Sequence, residues 1–227
     1  MLQTELTATT TRLPALAVAG LAPPAASRFS VVTHGSPRRS VIEARVRSGF
    51  GTHFGACIEG FMPDLALYEH SGGTSGVIGF RSAARDALFL EQYLAEPIER
   101  VIAAVSGRAP ERRDIVEVGQ FVIDDRNAVP DFFRDLVPFL ASRGFEWVCF
   151  TGTNRIRTIL ARVGFFGMPV AAATADRVRH GRDRWGTYYD NEPIVIVGRL
   201  SDPCGHWCRG TITPPFDPAF DDCSRDA

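Results

Sequence analysis

At 227 residues, with 45% of them hydrophobic and a formal net charge of −1, the chain is long enough to bury a real core in one or two domains, and it is read as one. The balance of charge supplies no sequence-independent pull toward nucleic acid or an anionic membrane, so no nucleic-acid partner is expected. All 25 Lys and Arg positions are Arg, and the absence of Lys excludes a Schiff-base lysine or a P-loop lysine.

The cysteines Cys57, Cys149, Cys204, Cys208 and Cys223 are odd in number, in a chain too long to need a disulfide scaffold, which points to a reducing, cytoplasmic setting. Leu13 to Ala26 imitates a secretory apolar region, but Pro14, Pro23 and Pro24 interrupt it and Glu5 precedes it, so a cleaved signal is not expected. No apolar run is long enough for a transmembrane segment. Cys204, His206 and Cys208 form one short cluster without the second pair of a structural zinc site, and no metal is expected there.

In chain order, residues 1–39 lack periodicity and read as an irregular arm, residues 40–200 as the folded domain, and residues 201–227 as an irregular tail rich in Pro and Asp. Ser40 to Phe54 opens as a helix, with Ser40 placed to cap it and Glu43 three residues later to complete a capping box. Asp64 to His70 and Ser75 to Ser82 alternate apolar and polar residues around Ser71-Gly72-Gly73 and predict a β-hairpin. Pro97 to about Val105 predicts a helix with Pro in its first turn. Asp114 to Ile123 has strand composition with polar groups at Glu117 and Gln120 and is the expected central strand.

Pro130 to Ser142 is expected to be helical and Phe145 to Thr151 a second buried strand. Asn154 to Val163 predicts another helix, closed by Gly164. Met168 to Ala173 and Pro193 to Arg199 complete the strands, separated by a polar loop from Arg177 to Asn191. The order argues a mixed α/β sheet with helices on its faces.

Residues two apart on a strand point the same way and residues three apart point oppositely. Glu117 and Gln120 therefore share a face only if Gly119 marks a bulge. A charged residue in an apolar strand must be paired or exposed, so Glu117 is either a site carboxylate or the partner of an arginine such as Arg81 on the neighbouring hairpin strand. Glu91, inside Phe89-Leu90-Glu91-Gln92-Tyr93, has aromatic neighbours that would raise its pKa, against the plainer reading of a surface carboxylate. Trp147 and Phe150 are core aromatics or the walls of a pocket, and Thr151 is a helix cap or a pocket contact.

Several motifs resemble the thermostable hemolysin family. They are Gly79-Phe80-Arg81-Ser82-Ala83, Leu88-Phe89-Leu90-Glu91-Gln92-Tyr93-Leu94 with Pro97-Ile98-Glu99, Ile115-Val116-Glu117-Val118-Gly119-Gln120, Phe145-Glu146-Trp147-Val148-Cys149-Phe150-Thr151 and Trp185-Gly186-Thr187-Tyr188-Tyr189. The likeness runs from roughly Val41 to Arg199. It implies a GNAT-like acyltransferase fold, similar to the acyl-homoserine-lactone synthases, with helices on both faces of a central sheet. In those synthases a strand Glu and a following Ser-Arg pair line the substrate pocket; Glu117 stands in a similar place, and Gln120 stands where Arg is expected.

The implied activity is transfer of a fatty-acyl group from a carrier thioester to a small amine or amino acid. The donor would sit on an acyl-carrier protein or on coenzyme A, with no resident cofactor bound. Glu117 and Glu91 are the catalytic candidates, and Arg81, Gln120, Trp147, Phe150 and Thr151 the substrate-binding ones. Arg126 is assigned to the donor, in a turn, Asp124 to Pro130, that has two carboxylates and no Gly where a pyrophosphate would sit, which favours a carrier protein over free coenzyme A. The competing readings are a membrane-active hemolysin and a catalytically silent GNAT-like binding module.

Overall fold

The computed structural model describes residues 28–70 and 73–202. Its centre is a seven-stranded sheet, built from β1 (Phe29–Val32), β2 (Asp64–His70), β3 (Gly73–Ser82), β4 (Ile115–Ile123), β5 (Trp147–Gly152), β6 (Met168–Ala172) and β7 (Ile194–Arg199) in the order β1-β2-β3-β4-β5-β7-β6. Every neighbouring pair is antiparallel except β4 with β5. The expected hairpin is β2 and β3. Residues 29–32, assigned to the irregular arm from their composition, are instead β1: a four-residue strand is too short to show alternation, and it is held by antiparallel pairing from Phe29 with Tyr68 to Val32 with Leu65.

The helices are α1 (Arg39–Phe54), α2 (Ile98–Ser106), α3 (Val129–Ala141) and α4 (Asn154–Arg162), with a 3-10 turn at Phe89–Tyr93. The capping box expected at Ser40 does not form, because α1 begins one residue earlier and Arg38 is its N-cap, with no side-chain cap bond. Arg39 instead turns inward, pairs with Glu43 and donates to the carbonyl of Pro63 at 2.8 Å. Gly55 ends α1 in the left-handed conformation at φ 63°, which a residue with a Cβ adopts at a cost.

Alternation along the strands divides the core in two. On one face Ile78, Phe80, Val116, Val118, Val148, Phe150, Ile194 and Ile196 meet Phe132, Phe133, Leu136, Phe139 and Leu140 of α3 and Leu160 of α4. On the other, Leu65, Leu67 and Val77 pack under Ile42, Val46 and Phe50 of α1, and Ile115, Cys149, Val195 and Val197 pack with Ile98 and Ile102 of α2. No helix among the described residues is long and apolar enough to cross a membrane. The Cys204 cluster and most of the expected tail lie outside the described residues.

Candidate active site

The site is made by a defect in the sheet. β4 and β5 pair only at Ile115 with Trp147, Val116 with Val148 and Glu117 with Cys149, and beyond these positions they part. β4 bends away at a bulge: Gly79 opposes Gly119 and Val77 opposes Val122, so Ile78 alone faces two residues, Gln120 and Phe121. Gln120 takes φ 51°, a left-handed conformation uncommon for a residue other than glycine. The condition for Glu117 and Gln120 to share a face, a bulge at Gly119, is met just beyond it, at Gln120 and Phe121. Glu117, Gln120 and Val122 all line one cleft of about 970 Å³, and Val118 and Phe121, which also border it, pack into the core cluster of α3 and α4.

Glu117 is 3% exposed. Its Oε2 accepts the backbone N–H of Phe89 and its Oε1 that of Leu90, both at 2.9 Å, so the carboxylate clamps the start of the 89–93 turn. Burial raises its pKa, and those two bonds, with the positive charge of Arg81, oppose the rise without cancelling it. Arg81 stands opposite Glu117 in the β3–β4 register, yet it donates to the carbonyl of Ala87 at 3.2 Å. Glu117 thus satisfies its oxygens on backbone donors rather than on the arginine that the sequence suggests.

Gln120 is also occupied. Its Oε1 accepts from Met62 N at 3.0 Å and its Nε2 donates to Gly60 O at 2.8 Å, fixing the 60–62 segment as a wall of the cleft. A Cβ at Gly79 would lie 2.9 Å from the Cβ of Met62, and one at Gly119 3.1 Å from its Cε. The two glycines admit this side chain against the strands where the bulge begins.

Aromatic side chains form the remaining wall. Trp185 stands 5.5 Å from Phe89, 5.3 Å from Tyr188 and 6.3 Å from Phe50, measured between ring centroids, and Phe54 is 5.2 Å from Tyr188. The segment that carries Trp185 is held against the end of α1 by Thr187 N donating to Phe54 O at 2.8 Å and Cys57 N donating to Arg184 O at 2.7 Å. Tyr93 and Tyr189 share a hydroxyl contact of 2.5 Å. Burial, then that contact, drives the pKa of Tyr93 far up, so it keeps its proton.

Residues 32–204 match the family described as thermostable hemolysin, which is most of the chain. The chain belongs to the thermostable hemolysin family. Among solved structures it is similar to FeeM, an N-acyl amino acid synthase from uncultured soil microbes, at 16% identity and TM-score 0.53, covering 79% of this chain and 93% of that one. It is also similar to the AHL synthase LasI at 10% identity and TM-score 0.50, covering 81% of this chain and 96% of that one. BjaI, a CoA-dependent acyl-homoserine lactone synthase with SAM and isopentyl-CoA, matches at 12% identity and TM-score 0.50, over 76% and 83% of the two chains. No curated protein matches. These likenesses establish the GNAT-like acyltransferase fold for this member of the thermostable hemolysin family.

Against that fold the expected site residues separate. Glu117, Gln120, Arg81, Thr151 and Arg126 all line the cleft. Glu91 does not: it accepts from Leu88 N at 2.7 Å and Ile98 N at 3.0 Å and pairs at 2.7 Å with Arg112, which also holds Glu99 at 2.7 Å. Burial pulls the Glu91 pKa up, but the bonds from Arg112, Ile98 and Leu88 outweigh it and the net displacement is downward, opposite to the direction expected from its aromatic neighbours.

Trp147 and Phe150 are both core residues, buried on opposite faces of the sheet, and neither lines the cleft. Thr151 is not a helix cap, since Thr153 holds that position at α4. Cys149 is fully buried, donates to Val116 O at 3.4 Å, and has its thiol pKa pushed well up by burial, so it is no nucleophile. The aromatic wall at Phe50, Phe54, Phe89, Tyr93, Trp185 and Tyr188 escaped the sequence reading, because its members come from three separate segments. The hint available was the density of aromatics in Trp185-Gly186-Thr187-Tyr188-Tyr189 within a loop read as polar.

Proposed function

We propose that the chain is an N-acyltransferase that moves a fatty-acyl group from a carrier thioester to a small amine or amino acid. The observation that carries this reading is the parting of β4 and β5 beyond Glu117 and Cys149, which opens the cleft through the sheet. An extended thioester arm fits beside a strand whose ladder groups have no strand partner on that side. That FeeM is an N-acyl amino acid synthase supports an amino acid among the acceptors.

In the reaction the lone pair of a neutral amine attacks the thioester carbonyl carbon, a C–N bond forms, the C–S bond breaks and the thiolate leaves. The proton shed by the amine nitrogen goes to Glu117, directly or through water. Its raised pKa makes the ionised carboxylate a stronger base than a free glutamate, and the two backbone donors leave further lone pairs on its oxygens. Backbone groups released by the bulge at Gln120 face the developing oxyanion, and the departing thiolate takes up its proton from solvent.

A carrier protein is the preferred donor. The turn after β4 has no glycine, and Asp125 already accepts from Asn127 N at 2.9 Å, occupying a donor that a pyrophosphate would need. Arg126 and Arg155 stand at the cleft and are the cations available to a single phosphodiester.

The full engagement of Gln120, and of both Glu117 oxygens, by the backbone favours a second reading, a silent binding module. Incubating purified protein with octanoyl-carrier protein or octanoyl-CoA and a mixture of amines and amino acids, then searching for amide products by mass spectrometry, separates the two. An amide formed with wild type and lost with a folded Glu117→Ala is the expected result. No product with either donor would leave the silent module standing.

A further inference from the structure

Arg81 is one of three arginines of the cleft, with Arg126 and Arg155, that form no ion pair among the described residues, and of the three it is the one in register with Glu117. Arg39, Arg45, Arg112 and Arg184 each lie against a carboxylate. Arg81 lines the cleft, gives one hydrogen bond to the carbonyl of Ala87, and among the described residues forms no ion pair. Its register partner Glu117 has turned both oxygens to the backbone of Phe89 and Leu90. A guanidinium with unused donors, facing a cleft, is suited to a carboxylate from outside.

Beside it stands a partly exposed aromatic surface. Phe89, two residues after the carbonyl that Arg81 holds, is 38% exposed and is one of three large hydrophobic side chains exposed among the described residues. Its ring lies 5.5 Å from Trp185, and both rings line the same cleft. An exposed aromatic inside a concave site, next to an unpaired cation and a buried carboxylate, has the pattern of a pocket for a small amphiphile. Opposed residues of an antiparallel pair are about 4.5–5.5 Å apart at Cα, so Arg81 and Glu117 enter the same cleft from adjacent positions of β3 and β4 and bring opposite charges to it.

We infer that the acceptor is an α-amino acid with an apolar, preferably aromatic, side chain. Arg81 holds its carboxylate, its amine is directed to Glu117, and its side chain lies on Phe89 and Trp185. The identity of the acceptor rests on the acyl-transfer reading, whereas binding to the pocket does not.

The test has a binding arm and a transfer arm. In the first, L-phenylalanine and phenethylamine, which differ by the carboxylate, are titrated while tryptophan fluorescence is followed in wild type, Arg81→Gln and Phe89→Ala. Phenylalanine is expected to saturate the signal with an affinity about 10- to 100-fold above that of phenethylamine, and Arg81→Gln to erase most of the difference. Phe89→Ala should weaken both ligands. Equal affinity of wild type for the two, or no saturation by either, would overturn the proposal, and this comparison stands even where a variant does not fold.

In the second arm both compounds are offered with octanoyl-carrier protein. Preferential acylation of phenethylamine would overturn the receptor while leaving acyl transfer intact. Binding of phenylalanine without any acylation would do the reverse.

Discussion

Glu117 is where site and fold meet in one side chain. Its two oxygens are the acceptors for the buried N–H of Leu90 and for that of Phe89, so removing the carboxylate strands both donors. Glu117→Ala should therefore lower the unfolding free energy by about 2–4 kcal/mol, measured by urea denaturation at neutral pH, from the cost of unmet donors. The pH dependence has a definite sign. The folded-state pKa is raised, so the pH-linked part of the Glu117 contribution is fully present below its unfolded value and is lost as pH rises through the folded value, leaving the part due to the two backbone donors. The stability gap between wild type and Glu117→Ala should narrow from acid toward neutral pH; a gap that widens would mean the carboxylate is favoured in its charged form. The polar positions of β4 were legible in the sequence because a carboxylate in an apolar strand must be explained. Their partners were not, since the backbone of residues 89–90 reaches Glu117 only through the fold.

The 88–98 segment is an element held by polar bonds more than by regular structure. Glu91 caps Leu88 and Ile98, and Arg112 ties Glu91, Glu99 and the carbonyl of Ala83, the last at 2.8 Å. Arg112→Lys keeps the charge but not the planar fork that reaches these acceptors, and should cost about 1–3 kcal/mol in a thermal or urea unfolding series. Glu91 acts with the opposite sign to Glu117. Its folded pKa is lowered, so its stabilisation is present above the unfolded value and is lost as pH falls through the folded one. Hydrogen exchange of the Leu88 and Ile98 amides should accelerate across that acid window, and unchanged protection would show that packing alone holds the segment.

The segment around Trp185 is tied differently. Gly186 has φ 51°, and a Cβ there would collide with the carbonyl of Phe54, a backbone atom with nowhere to go. Gly186→Ala should displace Trp185 from Phe50 and Phe89, lower the melting temperature by several degrees, and shift tryptophan emission to the red. Periodicity foretold the α-helices and every strand but β1 to within a residue or two. It was silent on these irregular segments, whose positions depend on single hydrogen bonds and close glycine contacts rather than on repeat.

At the scale of the molecule, the sheet is two antiparallel pieces, β1 to β4 and β5 to β7, joined by three register pairs between β4 and β5. The mixed sheet was legible from the order of elements, and the spacing of Glu117 and Gln120 showed that only a bulge could bring them to one face. The parting of the strands was not, because it is a missing set of hydrogen bonds between segments about thirty residues apart, and no residue type records a bond that is not made. Helices α3 and α4 bridge the pieces on one face through the shared cluster that includes Val118, Val148, Phe150 and Leu160, so the seam is closed by side chains where the backbone leaves it open.

Native-state hydrogen exchange should reveal this directly. Amides of Val118 to Val122 that face β5 should exchange faster than those of the well-paired β2 and β3, by sub-global opening rather than by unfolding of the whole chain. An octanoyl thioester donor that lies in the gap would slow the same amides and leave β1 and β2 unchanged. Uniform protection across all seven strands, with or without donor, would mean that the seam is as stable as the rest of the sheet, and that the gap is too rigid to admit a thioester arm by local opening.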